Sequence, residues 1–481
     1  MRRGVQVVAA AAVLALAGGL ARAMFMDGTE APVSRLLANV EKALVDSPDD
    51  PHLLYLKGRT HAVAYAAGVD ATAHVAWDTP PLPGYTTRDH DRLKFKGDVD
   101  DTRLKHLTEG IAALRRAAEL AKAPASGSRN EDDRPMLQLG LAWLLDDGSR
   151  FAPKVGRPDG SEVKEGLPEA EIAELNARIA RLGAMDGDKP DVTAREKAFA
   201  ELRGSFARCA NRLVAHRDAK DELVRAKVGE LLTLWWRDQA LAAYRIAYRL
   251  ARPGDVADDL HLDGTYRITV EAGDAILRLL PDLPANAVER KEVADTLEQL
   301  DRQGFAVTPI IFPTTRAQSL AALVPGDRTA RFDLAGDGVV RTWAWPTADA
   351  GFLVWAPDPT KAITSGRQMF GSRTWWIFWR DGYEPLSMLD DDRSGRLSGA
   401  ELDGIGVWRD RNRNAVCDPG EVEPVCMYGV EWIAVIANTR EGGAPANTAG
   451  IGMRDGTTRP TYDWTPTSIP EPDLRLSASR E

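Results

Sequence analysis

Apolar residues recur at helical spacing through the first half of the chain, and the pattern fades in the second. The segment SRLLANVEKALVDSPDDPHLLYLKGRTHAVAYA carries two such runs. Ser47-Pro48 and Pro51 divide them, because proline has no amide proton and clashes with the turn before it. LKHLTEGIAALRRAAELA predicts another amphipathic helix, and RPMLQLGLAWLLDDG one that ends at Gly148. LVRAKVGELLTLWWRDQALAAYRIAYRLARPGD predicts one long helix or two. Polar insertions near 78–103 and 146–170 separate these helices, and Phe151 to Gly166 and Asp186 to Asp191 read as linkers. HLDGTYRITVEA, residues 261–272, predicts a short strand after a turn, and Glu289 to Gly304 an amphipathic helix. Beyond it Trp, Gly, Asp and Thr rise and helical periodicity is lost, which sets a domain boundary near Arg302 to Pro309.

The N-terminus changes where this chain is expected to reside. MRRGVQVVAAAAVLALAGGLARA has a basic end at Arg2 and Arg3, an apolar run from Val5 to Leu20, and Ala21-Arg22-Ala23 as a small-x-small cleavage site. No second apolar span follows, so a cleaved signal peptide over 1–23 is expected, with export to the periplasm or the extracellular space and no stable membrane anchor. Loss of Arg2, Arg3 and Arg22 takes the formal charge from −10 to −13. Such a chain repels nucleic acid and attracts cations, and it carries no basic stripe with interleaved aromatics. The three cysteines, Cys209, Cys417 and Cys426, are too few for a disulfide framework. Cys417 and Cys426 are close enough in sequence to bridge in an oxidising compartment, or else Cys417 is a small buried apolar side chain.

Candidate chemistry concentrates between Asp390 and Glu421. Ca²⁺ is a hard cation that takes six to eight oxygens, supplied in a twelve-residue loop from positions 1, 3, 5, 7, 9 and 12. DDDRSGRLSGAE offers Asp390, Asp392, Ser394, the Arg396 carbonyl, Ser398 and Glu401, with Gly395 at the sharp turn of position 6. DRNRNAVCDPGE offers Asp410, Asn412, Asn414, the Val416 carbonyl, Asp418 and Glu421. Both segments resemble EF-hand calcium loops in their ligand spacing. A merely solvated Asp-rich turn leaves the two glutamates at position 12 unexplained. Ala415 stands at position 6 of the second loop, where a positive φ costs about 1 kcal/mol relative to Gly, so the first loop is expected to bind more tightly. Leu397, at position 8, is expected to face the paired loop. Only Leu402 to Arg409 links the two, which predicts a short shared helix followed by an extended Val407-Trp408.

Two resemblances extend this reading. Leu-Tyr-Leu-Lys-Gly at 54–58, Gly-Ile-Ala-Ala-Leu-Arg-Arg-Ala at 110–117 and Ala-Ala-Tyr-Arg-Ile-Ala-Tyr at 242–248 resemble single helices of tetratricopeptide repeats, without a clean 34-residue period. From Thr308 onward the chain resembles a calcium-binding module of secreted bacterial proteins, found near haemolysin-type repeats. TPIIF matches its opening strand. Phe332-Asp333 with Gly336-Asp337-Gly338 matches its first acidic turn, and Trp343 and Trp345 the strand after it. Gly351 to Val354, Phe370-Gly371, Asp381-Gly382-Tyr383, Val407 to Asp410 and a closing hairpin at Gly450 to Trp464 follow in order. Ala335, Arg341 and Ala344 remove oxygens from the first turn, and Ala356, Pro359 and Lys361 from the next, at Ala356 to Gln368. Both are therefore expected to be held by hydrogen bonds rather than by ions.

The reading is an α+β chain. Residues 24–260 form a helical, tetratricopeptide-like domain, 261–306 a connector with a short strand and a helix, 307–468 a compact β-rich module with paired EF-hand-type loops, and 469–481 a tail. Calcium is expected to be structural and the helical half a scaffold for a protein partner. The alternatives are a calcium-stabilised hydrolase with its site at the domain junction, and a carbohydrate- or cell-surface-binding module. The second would use Trp375, Trp376 and Trp379, with Trp375 and Trp379 on one face of a strand. Asp89-His90-Asp91 and Asp258-Asp259 with His261 and Asp263 read as solvated turns. No nucleophile elbow, zinc signature, P-loop or dinucleotide fingerprint occurs.

Overall fold

The structure is a computed structural model, and it describes residues 29–67, 73–75, 101–122, 132–157, 173–174, 177, 222–252, 265–280, 284–301, 306–466 and 468–469. Residues 1–23, expected to be a signal peptide, together with Cys209, Asp89-His90-Asp91 and the acids at 258–263, lie outside the described residues. The N-terminal part is helical and the C-terminal part is a curled antiparallel sheet, so the chain is α+β.

The described helices of the first half are α1 (Val33–Asp46), α2 (Pro51–Ala67), α3 (Asp101–Leu120), α4 (Arg134–Gly148), α5 (Glu222–Ala251), α6 (Thr265–Leu279) and α7 (Ala287–Asp301). The turn at Ser47 to Asp50 falls where the prolines stop one helix and start the next. Helices α2 and α3 cross closely because two glycines meet there. A Cβ on Gly58 would lie 2.4 Å from Leu114 Cγ, and one on Gly110 3.2 Å from the Gly58 carbonyl oxygen. The predicted long segment is a single helix, α5.

Two expectations are corrected here. Residues 265–272 belong to helix α6, not to a strand. The alternation from Arg267 to Glu271 imitates a strand, although Arg267, Glu271, Asp274 and Arg278 recur at helical spacing along α6. A helix also satisfies its own amides and carbonyls in the interior, where a lone strand would not. The span 151–166 does not begin as a linker: Ala152–Val155 make a helical turn packed on α5.

The sheet comprises β3 (Ile310–Pro313), β6 (Ala350–Trp355), β7 (Arg396–Ser398), β8 (Ile405–Trp408), β9 (Val422–Pro424), β10 (Val430–Ala434), β11 (Thr439–Glu441), β12 (Ala444–Met453) and β13 (Thr458–Asp463). Its order is β7-β10-β12-β13-β3-β6-β8-β9, with β11 on β12. A smaller sheet joins β4 (Thr329–Phe332), β5 (Arg341–Ala344) and β14 (Ser468–Ile469), and β1 (Thr29–Ala31) pairs with β2 (Ala73–Val75). All pairings run antiparallel. Trp408 lies opposite Phe352 in the ladder and the rings stack at 5.3 Å, with Trp345 and Phe332 around them.

The helices cover the sheet at the TWWIFW segment. Thr374–Trp376 is a tight turn, not a strand, and both Trp375 and Trp376 have φ in the left-handed region, at 55° and 58°. That conformation is costly for bulky residues and is held by packing. Trp375 meets Trp355, Phe370 and Trp379 edge to face, and Trp376 meets Phe378. Tyr55 Oη donates to the Phe378 carbonyl (3.1 Å) and the Arg59 guanidinium to that of Trp376 (2.6 Å). Trp375, Trp376 and Trp379 are all buried, so they form no exposed platform for a sugar ring.

Candidate metal centre

The loop 390–401 is shaped by its own carboxylates before any ion is considered. Asp390 is 6% exposed; its Oδ1 accepts from the Ser394 amide (3.0 Å) and its Oδ2 from that of Gly395 (2.8 Å). Asp392 accepts a second contact from the Ser394 amide (2.9 Å). Glu401, at the far end, folds back: Oε1 accepts from the Asp391 amide (2.8 Å) and Oε2 from that of Ser398 (3.0 Å). The chain takes φ 58° at Arg393 and 81° at Gly395 to allow this. The result is that one carboxylate oxygen each from Asp390, Asp392 and Glu401 lie within 4.8 Å of one another.

Three converging carboxylates repel, and burial adds to that cost at Asp390. Its carboxyl is held above the ordinary range by burial, with Asp392 and Glu401 adding to the push and the Gly395 and Ser394 amides opposing it. Asp392, exposed at the rim, is lowered by its bonds to Ser394. An oxygen-only set of this kind suits a hard divalent cation and not a soft one. Ser394 Oγ donates to the Arg396 carbonyl (2.9 Å), so these two expected ligands bond each other. Ser398 stands at the N-terminal edge of the 3-10 turn Gly399–Leu402.

The second loop repeats the backbone but not the convergence. Arg413 and Ala415 take φ 60° and 57°, and Asp410 accepts from the Asn414 amide (3.2 Å) and the Ala415 amide (2.7 Å). Glu421 folds back on the amides of Arg411 (2.8 Å) and Asp418 (3.1 Å). Inside, however, the Asn412 and Asn414 amide groups donate to Asp418 Oδ2, at 2.8 and 3.3 Å. Trp345 Nε1 also donates to Asp410 Oδ2 (2.7 Å), the oxygen that accepts from Ala415. Val416 is exposed at the tip, and its amide donates to Asn414 Oδ1 (2.7 Å). This loop closes on itself with neutral donors where the first gathers three acids.

The two loops do not pair through position 8. Leu397 sits in β7 opposite Ile433 of β10, while the second loop is the tip of the β8–β9 hairpin, at the other end of the strand order. The short link is the reason: after the turn at Gly399–Leu402 the chain passes straight into β8, so Val407-Trp408 is extended as expected but no shared helix forms between Asp403 and Arg409, and strands replace the helical arms that would bring two loops together. Cys417 and Cys426 are unbridged.

The first acidic turn is occupied by protein groups. Asp333 accepts from the amides of Asp337 (3.1 Å) and Gly338 (3.0 Å). Asp337 is gripped by Arg341 (2.8 Å) and by Arg267 of α6 (3.0 Å). Burial raises the Asp337 carboxyl, but the two guanidinium groups outweigh it and hold the acid below its usual range. In the following segment Asp358 caps the amide and hydroxyl of Thr360.

Sequence reasoning missed the residues that hold the first loop from outside. Arg35, Asn39 and Lys42 of α1 bind Asp391 and the chain around it. Nothing in the sequence marks residues about 350 positions apart as neighbours. Among the described residues no helix is long and apolar enough to cross a membrane.

No curated protein matches the chain. Residues 321–465, which hold most of the sheet and both loops, match the family model described as the SPM domain.

Proposed function

We propose that this chain is an exported calcium-binding protein. Calcium stabilises the C-terminal part through the EF-hand-type loop at Asp390 to Glu401, and the helical, tetratricopeptide-like region serves as a scaffold for a protein partner. The observation that carries the reading is the convergence of Asp390, Asp392 and Glu401 on a loop whose left-handed turns fall at Arg393 and Gly395. The cost of that convergence is what a divalent cation relieves. The residue pattern at 1–23 supports export, and calcium is abundant outside the cytosol. An ion that binds only the folded chain stabilises it by mass action.

The reading is tested by calcium titration of the full chain, with melting followed in parallel. A dissociation constant on the order of 0.1–1 mM is expected, as in extracellular modules. The melting temperature should rise with calcium and fall back when EDTA is added. Equal melting in calcium and in EDTA, with no binding heat, would overturn it.

A further inference from the structure

Helix α1 presents two stripes. Val33, Leu36 and Val40 face the core. Arg35, Asn39, Lys42 and Asp46, spaced by four, three and four, form the adjoining stripe, and all four touch the loop at 390–401. Asn39 Nδ2 donates to the Met388 carbonyl (3.0 Å) and to Asp391 Oδ1 (2.7 Å). Arg35 donates through Nε to the same Asp391 oxygen (2.9 Å) and through Nη2 to the carbonyls of Leu389 and Glu401. Lys42 reaches the Asp391 carbonyl (3.2 Å), and Asp46 receives Arg393 (2.5 Å). The residues on both sides of Asp390 and the backbone of Glu401 are thus fixed by one helix face. The Asp391 carboxylate accepts from both Arg35 and Asn39, outside the set of three converging acids.

We propose that α1 is the positioning element of the Asp390 loop, so that cation binding in the loop and docking of the helix strengthen each other. The proposal rests on the calcium reading above. Groups that orient first-contact ligands commonly change metal affinity by about 10–100-fold. Coupling is reciprocal, so whatever α1 adds to affinity the cation returns as tighter docking of α1. The loop state is thereby reported to the helical half, because α1 also packs on α2, whose Tyr55 and Arg59 hold the TWWIFW turn.

Charge and position make opposite predictions, which lets them be separated. Arg35 and Lys42 place positive charge beside the loop, so removing either charge favours a cation by field alone. Asn39 is neutral, and Asn39→Ala removes its two donated hydrogen bonds and the one it accepts from Lys42 without removing a charge. Arg35→Lys keeps the charge but loses the forked geometry that reaches Asp391 through Nε and the Leu389 and Glu401 carbonyls through Nη2. The full-length protein and these two variants are titrated with CaCl2, and amide exchange in α1 is followed with and without calcium. About tenfold weaker calcium binding is expected in Asn39→Ala and in Arg35→Lys. Calcium-dependent protection of the α1 amides should be present in the unmodified chain and lost in Asn39→Ala. If the variants melt lower by the same amount with and without calcium and bind it unchanged, the residues are merely structural and the proposal is wrong. If Asn39→Ala does not fold, Arg35→Lys decides by the same affinity measurement. Absence of calcium binding in the unmodified chain overturns the proposal together with the reading beneath it, whereas equal binding in all three overturns the proposal alone.

Discussion

Arg267 Nη1 lies 3.0 Å from Asp337 Oδ2, joining a helix of the N-terminal half to the first acidic turn of the C-terminal part. Both side chains are almost completely buried, as is Glu271 one turn along α6, which Arg267 also contacts. An arginine thus balances the buried Asp337 charge where an acidic turn would invite a cation. Removing one partner of a buried ion pair strands the other charge in a poor solvent. Arg267→Met should therefore cost about 3–5 kcal/mol of folding stability, read as a lower urea midpoint with an unchanged slope.

The same cluster has a pH signature. Burial, opposed by Arg267, pushes the Glu271 carboxyl up to about 7. Its folded value lies above the unfolded one, near 4.3. The folded state then holds more protons in between, so this group's contribution is full at low pH and declines as pH rises from about 4.3 to 7. Glu271→Gln should flatten that part of the stability profile, measured as chemical denaturation at several pH values. A profile as steep as that of the parent chain would show that Glu271 is ionised in the fold at all these values.

The crossing of α2 and α3 gives a prediction in which two effects compete. Gly58→Ala in a helix interior ordinarily gains about 1 kcal/mol from propensity. Here the new Cβ would fall 2.4 Å from Leu114 Cγ, with the Gly110 carbonyl behind it at 3.1 Å. Overpacking costs about 1–3 kcal/mol and wins because backbone as well as side chain would have to move. A lower melting temperature for Gly58→Ala, partly restored by Leu114→Val, is the expected outcome.

Local signals were legible and partners in space were not. The helix break at prolines 48 and 51 and the extended Val407-Trp408 follow from short-range signals, which a sequence displays, whereas the opening strand at Ile310 was expected from a family resemblance. Helix α6 was misread because Arg267 to Glu271 alternate as a strand would, which masked the helical recurrence of Arg267, Glu271, Asp274 and Arg278. The TWWIFW turn was hidden too, since two adjacent tryptophans at positive φ have no local propensity behind them and exist only because Trp355, Phe370 and Phe378 enclose them. In the site, the acids Asp390, Asp392 and Glu401 were readable as a set from their spacing, whereas the turning of Asn412 and Asn414 toward Asp418 and the grip of α1 on Asp391 depend on side-chain direction and distant elements.

The contrast between the loops gives a paired test of the calcium reading. Glu401 contributes an oxygen to the acidic triad, while Glu421 bonds only the amides of Arg411 and Asp418 among its described contacts. Glu401→Gln is expected to abolish the tighter calorimetric phase. Glu421→Gln should leave that phase in place and affect only a weaker one. Loss of the tighter phase in Glu421→Gln instead would assign the main site to the second loop.

Acid should release the cation earlier than ordinary carboxylates would allow. Asp390 is the most enclosed of the three acids, and burial holds its carboxyl above the usual aspartate value near 3.9. Protonation removes a full charge and one oxygen from a site that has only three carboxylates, so affinity must fall as pH drops through the raised Asp390 value. Asp392 is shifted the other way and stays ionised to lower pH, so of the two aspartates Asp390 takes up its proton first as pH falls. The sign for stability follows the same logic. Without calcium, a folded value above the unfolded one means that deprotonating Asp390 weakens the fold as pH rises. With calcium bound the charge is neutralised and the fold should instead strengthen over the same range. Melting curves across the carboxylate range should therefore converge at low pH in calcium and EDTA, and separate progressively as pH rises. In Asp390→Asn the separation should be small at every pH. Curves that stay equally separated down to acid pH would mean that binding does not require an ionised Asp390, and the site would lie elsewhere.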